Sequence, residues 1–167
     1  MKKIIICIIL CITIITMWCG EESYAANIKT LSWDLVDAGR HLDWGGSTKY
    51  MSQFKSAINI WNTYKKGVIR KDNLLRWKDV SVSDYSEISN VAGITSANGT
   101  IKINTYVMDD LCLIRRKNVF MHEIGHALGL AHNTKRDVMY AYVTKRTKLS
   151  NNDKKSYDYL YKKRYLR

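Results

Sequence analysis

Proline is absent from the 167 residues, phenylalanine occurs twice and histidine four times. Cysteine is scarce where it would matter most. Three of the four (Cys7, Cys11 and Cys19) fall near the N-terminus, which leaves Cys112 alone in the rest of the chain. One cysteine makes no internal disulfide and no four-cysteine metal site. After the N-terminal segment there is no second long apolar run, hence no further candidate membrane span. Repeats and linker-like stretches are missing as well. What remains has the length of one domain, stabilised by its own core and by whatever it binds.

The first 25 residues read as a targeting segment. Lys2-Lys3 is a charged start, Ile4 to Trp18 is mostly apolar, and Ser23-Tyr24-Ala25 offers small residues for cleavage. Cleavage after Ala25 leaves 167 − 25 = 142 residues, numbered 26–167. A lipid anchor at Cys19 is the rival, disfavoured by the bulky Met17-Trp18 before it. The expectation is an exported, extracellular protein. The proline-free, Ile/Lys/Asn-rich composition suits a bacterial source. Removing the segment takes two Lys and two Glu, so the charge stays at (27 − 2) − (15 − 2) = +12. Such a balance favours anionic surroundings, including cell-surface polymers. Nucleic acid is not expected as a partner, because the basic residues are scattered and match no binding motif.

Three of the four histidines lie within one short stretch, His122-Glu123-Ile124-Gly125-His126-Ala127-Leu128-Gly129-Leu130-Ala131-His132. On a helix, residues four apart face the same way one turn apart, so His122 and His126 can reach one metal ion. Neutral imidazoles bind Zn²⁺ at about 2.0–2.1 Å. Glu123 flanks them, placed to take a proton from water rather than to bind metal. Continued helix would swing His132 away. Gly129 can end the helix in the left-handed conformation, so that the chain returns His132 as third ligand and leaves a fourth position open. The plain alternative, accidental spacing on a buried helix, fits H-E-x-x-H alone far better than it fits the extended pattern.

This pattern resembles the metzincin metalloproteases, and Asp137-Val138-Met139-Tyr140-Ala141 resembles their methionine turn. The Met-Tyr pair and the spacing are most similar to the matrixin (matrix-metalloprotease-like) catalytic domain. Asn133 and Ala141 depart from it, standing where matrixins commonly have Ser and Pro. The resemblance implies an α+β metzincin fold, with a small twisted mixed β-sheet, three main helices and a zinc cleft. It implies a protein or peptide substrate, one catalytic zinc on His122, His126 and His132, Glu123 as general base, and Met139 packed beneath the metal without binding it. It also implies a substrate-pairing sheet edge at Ala92, Gly93 and Ile94, with Tyr140 to Arg146 walling the pocket beyond the cut. A second, structural zinc is not expected, since only His41 is left to bind it, and calcium stays open. The alternative is a zinc-binding but non-proteolytic surface or adhesion module on the same fold, against which the intact Glu123 argues.

Apolar spacing organises the rest. Ile28 to Val36 reads as a strand, and Gly45-Gly46-Ser47-Thr48 as a loop and helix cap. Tyr50, Phe54, Ala57, Ile58, Trp61 and Tyr64 recur at three and four, predicting a helix over 49–66 that Gly67 closes. Leu74 to Val82 suggests a strand. Val91–Thr95 and Thr100–Tyr106 form a pair split by Asn98-Gly99. Leu111 to Leu130 is expected to be one long helix, Cys112 a small buried residue within it, and Ser150 with Asp153 the capping box of a last helix whose buried face is Tyr157, Leu160 and Tyr161.

Overall fold

Tyr50, Phe54, Ala57, Ile58 and Trp61 form one buried face that holds helix α1 (Met51–Tyr64) against helix α3 (Leu113–Ala127). Phe54 meets Phe120 edge-on at 5.5 Å, and Trp61 Nε1 donates to the Met121 carbonyl at 3.0 Å, so the indole is buried without an orphaned donor. The computed structural model describes residues 26–164. The expected targeting segment, with Cys7, Cys11 and Cys19, lies outside the described residues.

A five-stranded sheet packs on the helices, with strands β1 (Leu42–Gly46), β2 (Ile69–Lys71), β3 (Val80–Tyr85), β4 (Gly93–Ser96) and β5 (Thr100–Asn104) in the order β2-β1-β3-β5-β4. All neighbours are parallel except β4, which runs antiparallel to β5 at the sheet edge. Gly99, at φ 83°, makes the turn between them, as the Asn98-Gly99 pair predicts. A short helix α2 (Thr105–Met108) follows, and helix α4 (Asn151–Arg164) comes last. The fold is the expected α+β arrangement: a mixed sheet with three main helices.

Several boundaries differ. Ile28 to Val36 is not a strand. Its backbone binds the end of α3 instead: Leu35 N–H donates to Ala127 O at 2.9 Å and Leu31 N–H to Gly129 O at 2.8 Å. A helix end leaves carbonyls free, and this segment satisfies them. The first strand lies later, at β1, and takes in Gly45 and Gly46, which read as a loop because glycine is poor in strands. Leu74, Leu75 and Trp77 are not in a strand either: they stand exposed in a loop, and β3 starts at Val80. Cys112 is the residue before α3 and is exposed, not buried. The neighbouring backbone N–H groups at Arg115 and Ile114, with the Arg115 charge, hold its thiol below the usual range.

Candidate metal centre and cleft

The end of α3 is built to return the chain. Leu130 N–H donates to Gly125 O at 2.9 Å, Gly129 N–H donates to His126 O at 2.8 Å, and Gly129 sits at φ 92°. This pair of bonds around a left-handed glycine closes the helix and redirects the backbone. His132 is thereby brought back, its Nε2 lying 3.2 Å from both His122 Nε2 and His126 Nε2.

The other ring nitrogens settle the tautomers. His122 Nδ1 lies 3.1 Å from Val138 O and His126 Nδ1 lies 2.8 Å from Leu130 O. A carbonyl only accepts, so both Nδ1 atoms carry the proton and both Nε2 atoms present lone pairs to the centre. His132 can donate to one of them at a time, which leaves the other lone pair facing a nitrogen with no proton to share. Burial, with His126 and His132 close by, pushes the His122 pKa down to about 3, and burial lowers that of His126 too. Three imidazoles converging on one point suit a cation. A tetrahedral ion bound at about 2.0–2.1 Å needs its nitrogens roughly 3.3 Å apart, close to the spacing seen.

Glu123 is buried beside this triad. Thr95 Oγ1 lies 2.6 Å from Glu123 Oε2, a hydroxyl donating to the carboxylate. Burial pushes the Glu123 pKa up to about 7, against the pull of that hydrogen bond. Gly93 faces the same side chain: a Cβ there would stand 2.9 Å from Glu123 Cγ and 3.0 Å from Oε1. The residue next to the carboxyl must therefore be glycine if the acid is to keep its place.

Beneath the histidines runs the segment Asp137–Tyr140. Val138 and Met139 are buried, and their N–H groups donate to the two carboxylate oxygens of Asp153 at 2.9 and 3.3 Å. Asp153 also exchanges hydrogen bonds with Ser150, at 2.9 and 3.0 Å, in the expected capping box. One carboxylate thus starts α4 and fixes the floor that supports His122 through Val138 O. Asp137 is buried too and accepts from Thr134 and Asn152. Met139 lies against Gly125 of α3.

β4 forms one wall. Ala92 O accepts from Asn104 N–H at 3.0 Å, so its carbonyl is turned toward β5. By the alternation of an antiparallel ladder, the backbone groups of Gly93 and Thr95 face the open edge, and those of Ile94 face β5. A small recess opens opposite, lined by Ala92, Val119, His122, Tyr140, Tyr142 and Val143. Its base is held by Asn118, which donates to Arg146 O and accepts from Thr144 N–H, both at 2.8 Å.

Residues 113–162 match the family model described as Matrixin. This segment is matrixin-like. It runs from the start of α3 through the His132 loop and the Met139 turn into α4, and the match supports a zinc metalloprotease type of function in general terms. No curated protein matches the chain.

The sequence missed three contributors to the site: Thr95, the room left by Gly93 and Gly125, and the second task of Asp153. Only the last left a signal, since a capping acid was legible although its partners in the Met139 turn were not. A separate acidic group, Asp37, Asp43 and Asp79, gathers beside β1 and the start of β3. It already holds a cation, because Arg70 binds Asp43 through Nε and Nη2 at 2.8 and 2.6 Å.

Proposed function

We propose that the chain is a secreted zinc-dependent endopeptidase, with residues 26–167 as the catalytic domain and residues 1–25 removed on export. The observation that carries this reading is the convergence of three imidazole Nε2 atoms beside one buried, hydrogen-bonded carboxyl, on the wall of a cleft with an open strand edge. His122, His126 and His132 would hold the ion. Zinc, when bound, supplies Lewis acidity toward a peptide carbonyl and toward water.

The chain's own groups supply the remaining work. Glu123, a buried carboxyl beside the three histidines, is placed to accept a proton from water and return it to the leaving amine. Thr95 orients that carboxyl. An extended peptide can pair with the outward backbone groups of Gly93 and Thr95, which adds a strand to the sheet and holds the scissile bond in the cleft. Ala92 and Tyr140 then flank the recess that receives the residue beyond the cut, and Ile94 borders the bound chain.

The test is Glu123→Ala in the purified protein. One zinc per chain should remain, bound by the three histidines, while hydrolysis of a peptide library falls by at least about 10²-fold. A variant that cleaves like the parent, or that loses its zinc, overturns the assignment. A parent protein that never cleaves yet adheres to anionic surfaces with or without Glu123 would favour the non-proteolytic module.

A further inference from the structure

The loop between β2 and β3 crosses the sheet over β1, and both its feet are tied to that strand. Asp72 N–H donates to Trp44 O at 2.9 Å and Asp79 N–H donates to Asp43 O at 2.7 Å. Between them, Asn73 and Arg76 bind each other's backbone at 3.1 and 3.2 Å, and Leu75 N–H donates to Asn73 Oδ1 at 2.9 Å. This is a closed tight turn. Its two central residues are Leu74 and Leu75, where turns ordinarily carry Gly, Asn, Asp or Ser. Leu74 is wholly exposed, and Leu75 and the adjacent Trp77 are each 93 % exposed. Three large apolar side chains at one hydrogen-bonded turn are left uncovered among the described residues.

The surrounding charge says what would cover them. Lys71 and Lys78 are exposed on either side of the tip, and Arg76 leans back toward Asp43, 4.0 Å away. The loop's two acids, Asp72 and Asp79, stand at its feet, none lies between them, and the chain as a whole carries +12. Apolar residues at an apex with lysines at its shoulders complement a surface that is hydrophobic within and anionic at its rim. An anionic bilayer has that profile, whereas a soluble polyanion or an acidic peptide offers no apolar layer. Tryptophan is also the side chain best suited to the headgroup level.

We propose that the Asn73–Arg76 turn is an interfacial anchor, with Leu74, Leu75 and Trp77 entering the surface of an anionic lipid bilayer while Lys71 and Lys78 face its headgroups. The turn belongs to the β2–β1 side of the sheet and the cleft to the β4 edge. At about 4.8 Å between strands, β1 and β4 stand roughly 14 Å apart, so the turn and the cleft are separate features. The anchor does not depend on the zinc site.

The test uses the full chain and a readout confined to the turn, so that any other lipid-seeking segment contributes equally to every sample. Tryptophan emission is measured with phosphatidylcholine vesicles containing about 25 % phosphatidylglycerol, with and without brominated acyl chains. The expected result is stronger quenching of the parent than of Trp77→Phe. That difference should vanish in pure phosphatidylcholine and in about 0.5 M NaCl. Leu74→Ser with Leu75→Ser should reduce it at least about twofold at an unchanged thermal midpoint. Equal quenching of the parent and Trp77→Phe overturns the proposal, and is the result expected if a protein partner covers the turn instead. An equal difference in uncharged vesicles also overturns it. Should the double serine variant fail to fold, the Trp77→Phe comparison still decides.

Discussion

Gly125 and Met139 share one space: a Cβ at Gly125 would overlap the Met139 sulfur, with Trp61 also within 3.3 Å of it. The glycine inside the histidine motif is therefore the notch into which the methionine fits. Gly125→Ala should lower stability by about 1–3 kcal/mol in denaturant unfolding, as overpacked cores do. Met139→Leu should cost less, roughly 1 kcal/mol, and leave zinc affinity nearly intact, because a volume-conserving swap keeps the notch filled. A structure of the zinc-loaded protein with the Met139 sulfur bonded to the ion would overturn the packing role.

Thr95 and Glu123 make a second prediction, read from the pH profile. The Thr95 hydroxyl favours the ionised carboxylate and so lowers the Glu123 pKa, which burial has pushed to about 7. Thr95→Val removes that donor, and the pKa rises. The base then stays protonated to a higher pH, and the acidic limb of kcat/KM should move upward by about one unit. An unmoved limb would exclude this contact as a positioning interaction.

Asp153 holds the N–H groups of both Val138 and Met139 as well as the start of α4. Asp153→Ala should destabilise the fold by about 3 kcal/mol, and weaken zinc binding roughly tenfold, since Val138 O orients the His122 ring. Ser150→Ala removes the cap and a hydrogen bond to Asp137 but leaves both amide contacts of Asp153, and should weaken zinc binding less than Asp153→Ala does. If the two variants bind zinc equally well, the link from α4 to the metal is absent.

Cys112 should be dispensable. It is exposed at the start of α3, whereas His122 lies ten residues on, about 15 Å along the helix. Alkylation, or Cys112→Ser, should change neither zinc affinity nor the onset of activity. A lag in activity that disappears on alkylation would show that the thiol reaches the metal.

The sequence revealed those features that depend on local spacing. The four-residue step of His122 and His126, the left-handed Gly129, the turn at Gly99 and the cap at Ser150 each follow from short-range geometry, and each stands where expected. The misread features depend on long-range partners. Ile28 to Val36 looks like a strand because extended backbone wants hydrogen bonds, yet sequence cannot say that a helix end will provide them. Leu74, Leu75 and Trp77 read as part of a strand because they run into the apolar alternation of Val80 and Val82, and nothing local says that the strand begins only at Val80. Thr95 could not be found, since nothing local marks a threonine that meets a glutamate 28 residues later.

The double duty of Asp153 also bears on timing. The amides of Val138 and Met139 have no final partner until the first turn of α4 has formed and docked, so the support for His122 is completed by the last of the helices described. A chain emerging N-terminus first could complete its sheet and α3 while the histidines still lacked their floor. Competence to grip the metal would then arrive late, once α4 has docked.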